Sequence, residues 1–200
     1  MCIYYRNTVV LMIYVDDGIF IAPRQQEIDE AYKLMVTQLT DKEGVIHRPY
    51  KMTDERDLAD YLGVKINRLP DGKIKLSQPQ MINSILEDLG MSEATTTKPT
   101  PAATTVKLHC DINSKPASDN WHYRSVVGKM NFLEKSTRLD ISYAVHQCAR
   151  FSAEPKESHA TALKRIGRYL AGTRDKGIIF SPTMHSFDCY VDADFVGSWD

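Results

Sequence analysis

Cysteine is scarce in this chain, and the few that occur are poorly placed for a zinc ribbon or a disulfide framework. Four are present among 200 residues, far apart and without a Cys-x-x-Cys pair. Long apolar runs are also missing, since the longest, residues 9–15 and 18–22, are too short to span a bilayer. No signal-peptide pattern opens the sequence. We therefore expect a reduced, intracellular protein, cytoplasmic or nuclear, with no membrane partner.

The charge is nearly balanced overall but unevenly distributed. Apolar residues make up 42% and charged residues 26%, as in an ordinary globular protein, and the formal net charge is −1. Residues 1–120 contain 14 Lys and Arg against 17 Asp and Glu, residues 121–180 contain 11 against 5, and residues 181–200 contain none against four. A basic block of this kind is typical of a surface that binds a polyanion. A solvated basic face with no ligand is the alternative that the sequence leaves open.

Short apolar segments near the amino terminus predict a β-meander. Its strands are expected over residues 2–5, 9–15 and 19–22, because apolar and aromatic residues are interrupted there by turn residues. Apolar side chains at helical spacing predict an amphipathic helix over residues 25–39, packed on the meander. A further short strand is expected over residues 45–52.

A second hairpin and a helix are predicted next. Residues 61–69 and 73–76 alternate apolar with polar side chains around a Pro-Asp-Gly turn. Ser77 and Gln80 have the spacing of a capping box, and Gly90 is a typical helix stop. The buried stripe of this helix is expected to consist of Ile82, Ile85, Leu86 and Leu89.

Periodicity is lost over residues 91–120, where Thr, Ser, Pro and Asp accumulate, so we expect a linker or an extended loop. Three helical patterns then predict a compact helical unit. They cover residues 121–135, 140–151 and 159–170. Residues 177–180 and 187–191 finally read as a new hairpin.

Two adjacent carboxylates give the sharpest chemical signal, in the sequence Tyr14-Val15-Asp16-Asp17-Gly18. Asp-Asp-Gly is ordinary turn chemistry, and this explanation needs no function. Nucleotidyl transfer by two Mg²⁺ ions, held roughly 4 Å apart by rigid carboxylates, is the alternative explanation. It requires a third carboxylate from a neighbouring strand, and no strand upstream of Asp16 supplies one.

The remaining candidate sites are weaker. His109-Cys110 and His146-x-Cys148 each lack a matching second pair at zinc-ligand spacing, so zinc is not indicated. Several aromatic side chains at helical spacing could stack on nucleobases, although such residues more often belong to a core. These aromatics are Trp121, Tyr123, Phe132, Tyr143 and Tyr169.

Several short motifs follow one another along the chain in a specific order and spacing. They are Leu11-Met12-Ile13-Tyr14-Val15-Asp16-Asp17, Tyr61-Leu62-Gly63-Val64, Leu76-Ser77-Gln78, Thr100-Pro101, Tyr123-Arg124-Ser125-Val126-Val127-Gly128, Thr137-Arg138-Leu139-Asp140-Ile141-Ser142-Tyr143-Ala144-Val145, Lys164-Arg165-Ile166-Gly167-Arg168-Tyr169-Leu170-Ala171-Gly172-Thr173 and Asp192-Ala193-Asp194-Phe195-Val196-Gly197. In this order and spacing the chain resembles, over nearly its whole length, the copia-type reverse transcriptases of long-terminal-repeat retrotransposons.

The resemblance implies an α+β fold in several parts. Antiparallel hairpins with packed helices would form part of a reverse-transcriptase palm, followed by a helical thumb or connection unit and the first hairpin of a ribonuclease H-like domain. The implied boundaries are 1–90 for the palm with its following hairpin and helix, 91–120 for the linker, 121–175 for the basic helical unit and 176–200 for the start of ribonuclease H.

Site roles follow residue by residue from the same resemblance. Asp16 and Asp17 match the catalytic aspartates that hold Mg²⁺ in the Tyr-x-Asp-Asp motif, while Tyr14 and Val15 would lie near the primer. Asp192 matches the first metal-binding aspartate of ribonuclease H. The implied partners are template–primer RNA or DNA and deoxynucleotides. Contacts to their phosphates are expected from Arg124, Lys129, Lys164, Arg165 and Arg168.

The chain departs from the family pattern at several points, and these departures limit the activity that we expect of it. Leu139 stands where the family usually has proline, which removes a fixed φ at a helix start. The fingers, the first catalytic aspartate and the later ribonuclease H carboxylates are not found in the sequence. We therefore expect a fragment of an RNA-directed DNA polymerase that is inactive alone, with further Pol segments supplied in trans and a virus-like particle as the parent's compartment. A non-catalytic nucleic-acid-binding remnant of a decayed element is the alternative.

Overall fold

The computed structural model describes residues 2–40, 42–55, 58–91, 95–103, 107–110, 114–117 and 121–181. The chain is a mixed α/β protein with antiparallel sheets and five α-helices in this described part. It divides into two compact units, Met1–Leu62 and Gly63–Asp200. No helix among the described residues is long and apolar enough to cross a membrane.

The first unit begins with the predicted β-meander. Its antiparallel strands are β1 (Cys2–Arg6), β2 (Val9–Tyr14) and β3 (Asp17–Ile21). The tight turn lies at Val15 and Asp16, one residue earlier than residues 16–18, the interval between the predicted strands 9–15 and 19–22. Tyr14 pairs with Asp17 because the ladder keeps the apolar pair Leu11 and Phe20 in register, and a strand's register is set by its buried face.

The rest of the first unit is a helix and three very short strands. Helix α1 (Gln25–Val36) packs on β2 as predicted but ends before Leu39, which instead begins β4 (Leu39–Thr40). Strand β4 pairs with β5 (Ile46–His47), all that forms of the strand expected over residues 45–52, and β6 (Asp60–Tyr61) follows. Among the described residues of this unit, Val9 is the one buried apolar side chain. The core of the unit is therefore small.

The second unit contains the predicted second hairpin. Strand β7 (Val64–Arg68) pairs with β8 (Ile74–Ser77), and Gly72 turns between them with φ of 80°. Strand β9 (Ile178–Phe180) forms where the last hairpin was expected, but its observed partner is β8. The expected partner, residues 187–191, lies outside the described residues.

Helix α2 (Pro79–Asp88) confirms the helix predicted before Gly90. Proline occupies its first turn, and Gly90, with φ of 65°, ends it by a Schellman motif in which the Met91 amide donates to the Leu86 carbonyl over 2.8 Å. The predicted capping box was wrong, because Ser77 is the buried last residue of β8 and Gln78 is the N-cap. All four residues of the predicted stripe are buried.

Three further helices match the predicted helical unit to within a few residues. They are α3 (Tyr123–Ser136), α4 (Ser142–Ala149), which follows a 3₁₀ turn at Leu139–Ile141, and α5 (Glu157–Ala171). Together with α2 they enclose the main apolar core. Gly167 lets α2 approach α5 closely, since a Cβ at that position would lie 2.6 Å from Leu89 Cδ1.

The Thr- and Pro-rich segment contains no helix or strand in its described parts, but it is held against α5. We call residues 95–103 the strap. The Lys98 amide of the strap donates to the Arg168 carbonyl over 3.3 Å. Further along, His159 is buried on α5, and its Nε2 lies 3.0 Å from the His109 carbonyl oxygen. The segment thus packs on the helical unit.

Candidate metal site and nucleic-acid interface

The paired carboxylates lie at the tip of the hairpin formed by β2 and β3. Asp16 occupies the turn, Asp17 begins β3 opposite Tyr14, and both carboxylates are exposed. Side chains alternate between the faces of a sheet, so Tyr14 and Asp17 share one face with Met12. Helix α1 covers the opposite face, where Leu11 lies.

The face that carries Tyr14 and Asp17 is apolar, and no described element of the first unit covers it. Cross-strand pairs place on it a group of large side chains, of which Ile3, Tyr5, Tyr14 and Ile21 are exposed. Tyr14 is 46% exposed. Contiguous apolar surface of this kind is typical of a place where another surface binds.

Val15 holds the turn in an unusual backbone conformation. Its φ is 54°, in the left-handed region that β-branched residues rarely adopt, and its side chain is 80% exposed. Such a conformation costs about 1–3 kcal/mol and is found most often at active sites and ligand clamps. Packing does not explain the choice of valine here, since little of the side chain is buried.

Two adjacent carboxylates alone would supply only part of a magnesium site. Carboxylate oxygens are the donors that Mg²⁺ prefers. Within the described ranges, no group of three His, Cys, Asp or Glu side chains is placed to hold a metal ion. A metal ion at Asp16 and Asp17 would therefore need further ligands, and Asp192, the other predicted metal ligand, lies outside the described residues.

The three basic residues predicted on α5 are half-buried, and the side chains of two of them, Arg165 and Lys164, are engaged within the chain. Arg165 Nη2 donates to Thr100 Oγ1 of the strap over 2.9 Å. The Lys164 ammonium lies 5.8 Å from the centre of the Trp121 ring. The backbone carbonyl of Arg168 accepts the hydrogen bond from the Lys98 amide of the strap. The strap thus covers part of this helix face.

The two basic residues predicted on α3 differ in their availability. Lys129 Nζ lies 2.7 Å from Asp88 Oδ2 and 2.8 Å from Ser84 Oγ, so its charge helps to join α3 to α2. Arg124 is exposed and donates through Nε to the Ser152 carbonyl over 2.7 Å. Of this pair, Arg124 presents the more accessible cation.

Sequence reasoning missed a charged cluster around Arg138, whose own side chain is only 1% exposed. Its Nε and Nη2 each lie 2.9 Å from an oxygen of Asp140. Nη1 donates to the Thr173 carbonyl over 2.9 Å and Nη2 to Thr173 Oγ1 over 2.7 Å, while the Tyr169 hydroxyl donates to Asp140 over 2.6 Å. The sequence signal for this cluster is the spacing of Arg138 and Asp140, two residues apart in the motif at residues 137–145. No role for this pair was inferred from the sequence.

Electrostatics in this cluster follow from burial and pairing. Burial by itself would raise the pKa of Asp140, but hydrogen bonds from Arg138 and Tyr169, with the charge of Arg138, hold that pKa below its ordinary value of 3.8. Burial and then the Asp140 carboxylate raise the pKa of Tyr169. The cluster borders a cleft of about 480 Å³ that Lys75 and Lys176 also line.

The aromatic candidates divide between core and surface. Tyr123 and Tyr169 are buried, and Tyr123 donates its hydroxyl to the Cys148 carbonyl over 2.9 Å. Burial raises the pKa of the Cys148 thiol to about 12, so this cysteine is an inert core residue. Phe132 and Tyr143 are exposed and remain available for stacking.

Comparison with known proteins identifies relatives along nearly the whole chain. The chain is 35% identical over 198 residues to the retrovirus-related Pol polyprotein from transposon RE1 of Arabidopsis thaliana, an alignment that covers 98% of this chain and 12% of the relative. It is 33% identical over 198 residues to that from transposon RE2 of the same plant, with the same coverage. It is 30% identical over 212 residues to that from transposon TNT 1-94 of Nicotiana tabacum, covering 100% of this chain and 15% of the relative.

The chain is homologous to copia-type retrotransposon Pol polyproteins. The expected family is thereby confirmed. The chain spans about an eighth of the length of these Pol relatives. No family model matches it, and no solved structure does.

The family motifs occupy distinct positions in this Pol homologue. The Tyr-x-Asp-Asp stretch forms the strained hairpin tip, and the motif at residues 137–145 forms the Arg138 cluster and α4. The motif at residues 164–173 belongs to α5 and supplies Tyr169 and Thr173 to the same cluster. Two separate motifs of the Pol homologue thus meet in one hydrogen-bonded network.

Proposed function

We propose that this chain contributes the carboxylate hairpin and the helical nucleic-acid-binding unit of a reverse transcriptase. The observation that carries the proposal is the exposed pair Asp16 and Asp17 at a hairpin tip, next to the strained Val15, in a chain homologous to transposon Pol polyproteins. In our proposal the first unit is part of the palm, and the helices of the second unit belong to the thumb or connection region.

Magnesium would be held by Asp16 and Asp17, and it would supply charge stabilisation for transfer of a nucleotide to a primer 3′-oxygen. The side chains present can do this only in part, since two carboxylates leave most of an octahedral shell open. Asp17 shares its face with Tyr14, so a primer end on that face would contact both side chains. Asp192 is proposed, on its motif alone, as a metal ligand of ribonuclease H.

Further Pol segments are proposed to cover the apolar face beside Asp17. The exposed side chains of Ile3, Tyr5 and Ile21 support this, because a surface of that composition is stabilised by another protein surface. A third carboxylate would then come from the covering segment. The 200-residue chain by itself is accordingly expected to lack polymerase activity.

Primer extension tests this proposal. The 200-residue chain, incubated with template–primer, deoxynucleotides and Mg²⁺, should yield no product, whereas a longer Pol chain that contains it should extend the primer. Removing a group that only orients a metal ligand typically lowers activity by about 10- to 100-fold. In the longer chain, removing the ligands themselves by Asp16→Asn with Asp17→Asn should therefore lower the rate more than about 100-fold. Asp29→Asn is the matched control, because Asp29 is exposed on α1 and accepts a hydrogen bond only from Gln25 among the described contacts. Equal activity of the double variant and the control would refute the proposed role.

A nucleic-acid-binding role without catalysis is the second candidate. The excess of Lys and Arg over residues 121–180 and the exposed guanidinium of Arg124 favour it. Binding through about three phosphates should weaken roughly 40-fold between 50 and 200 mM salt. Fluorescence anisotropy with a labelled duplex measures this, and Arg124→Gln should make the salt dependence shallower. Binding that stays constant with salt would contradict this role.

A further inference from the structure

Thr100 is an exposed strap residue that stands directly before Pro101. The residue before a proline is restricted to extended conformations, and Pro99 lies on its other side. Protein kinases bind their substrates as extended segments, and one class of them selects a serine or threonine that is followed by proline. The strap has no helix or strand to unfold, but it bends at residues 99–102, where the Thr100 hydroxyl donates to the Ala102 carbonyl over 2.9 Å. A kinase would have to break this one hydrogen bond to bind the segment in extended form.

Arg165 is positioned to bind an anion at this threonine. Its Nη2 donates to Thr100 Oγ1 over 2.9 Å. Its Nε is shielded from solvent and has no hydrogen-bond partner among the described residues. The Nε and Nη2 edge of a guanidinium matches two oxygens of one phosphate, whereas the hydroxyl provides a single oxygen.

We propose that Thr100 is the phosphoacceptor of a proline-directed protein kinase and that Arg165 binds the resulting phosphate, which fixes the strap on α5. In the reaction, Thr100 Oγ forms a bond to the γ-phosphorus of ATP and the bond from that phosphorus to the β,γ-bridging oxygen breaks. ADP leaves, and the hydroxyl proton passes to the kinase's catalytic base. The product carries a charge of about −1.5 to −2 and three acceptor oxygens beside Arg165.

The chain contains an internal comparison. Ser181 is the other serine or threonine followed by proline, and it is also exposed. In the described part of the chain no arginine is hydrogen-bonded to it. Both positions should therefore be substrates for the kinase, but only phosphorylation of Thr100 should change the strap. A phosphate at Thr100 would also occupy Arg165, one of the residues expected to contact nucleic-acid phosphates. That consequence depends on the proposed function, whereas phosphorylation and strap fixation do not.

Kinase treatment of the full 200-residue chain followed by mass spectrometry tests the first step. Thr100 should be phosphorylated with ATP and a purified proline-directed kinase, and Thr100→Ala should lose that phosphate while Ser181 keeps its own. Phosphate at Ser181 only would overturn the proposal.

Hydrogen exchange at the Lys98 amide tests the second step, because this amide ties the strap to α5. Phosphorylation should slow its exchange about tenfold in the wild-type chain, as expected for a charge-assisted pair. It should have little effect in Arg165→Gln and an intermediate effect in Arg165→Lys, which keeps the charge but not the two-nitrogen edge. Lys135→Gln, an exposed change on α3, should behave as wild type. Equal slowing in the wild type and both Arg165 variants would overturn the assignment of Arg165.

Discussion

Replacing Arg138 by leucine should destabilise the second unit by about 4 kcal/mol. Arg138 makes four hydrogen bonds of 2.7–2.9 Å, to Asp140 and Thr173. Each bond is taken at about 1 kcal/mol, below the usual range for bonds to charged groups, because the Asp140 side chain is 38% exposed; the sum is about 4 kcal/mol. The leucine would also leave the Asp140 carboxylate and the Thr173 carbonyl without their main donor.

Urea unfolding followed by far-ultraviolet circular dichroism measures this loss. A double-mutant cycle with Asp140→Leu separates the pair from the rest of the network. The free energy of unfolding lost in the double variant should be smaller than the sum of the two single losses, and the difference should exceed about 1 kcal/mol. Arg150→Leu is the control. Among the described contacts its exposed guanidinium donates to Gln147 over 3.2 Å and lies 5.5 Å from the centre of the Phe151 ring, so its loss should cost less than about 1 kcal/mol. A loss below about 1 kcal/mol for Arg138→Leu would refute the reasoning.

Three further predictions follow from the structure. Val15→Asn should raise the free energy of unfolding of the first unit, measured by urea titration, by about 1 kcal/mol, because asparagine tolerates a φ of 54° better than valine. Little buried surface is lost, so a decrease in that free energy would argue against backbone strain. The pKa of Asp140 is lower in the folded chain, so the ionised carboxylate stabilises the fold above about pH 4, and this stabilisation is lost as the pH falls through the folded pKa. Between pH 6 and pH 3 the wild type should therefore lose more free energy of unfolding than Asp140→Asn, and equal losses would contradict the lowered pKa. At pH 8, a thiol reagent should label the exposed cysteines of the native chain at once and Cys148 only after urea unfolding; rapid native labelling of Cys148 would be inconsistent with a pKa of about 12.

Local signals predicted the elements whose ends are set by their own residues. Helix α2 is the best example, because Pro79 fixes its start and Gly90 its end through backbone preferences that need no distant partner. Helix α5 followed similarly from its apolar period. The turn at Val15 was misplaced because Asp-Gly is the stronger local turn signal, yet the register of Leu11 against Phe20 decided the outcome.

Long-range contacts account for what the sequence did not reveal. Arg138 and Thr173 are 35 residues apart, and no periodicity links them. The pairing of β9 with β8 and the packing of the strap on α5 depend likewise on residues distant in sequence. The carboxylate pair was evident from the motif, but the strain at Val15 requires backbone angles.

Paramagnetic NMR with Mn²⁺ tests most directly whether the hairpin is a metal site. Mn²⁺ takes the place of Mg²⁺ and broadens nearby amide signals. In the 200-residue chain, broadening should be strongest at residues 15–18, should disappear in Asp16→Asn with Asp17→Asn, and should persist in Asp29→Asn. Broadening that is unchanged by the double substitution, or that is centred elsewhere, would contradict the account of Asp16 and Asp17 as metal ligands.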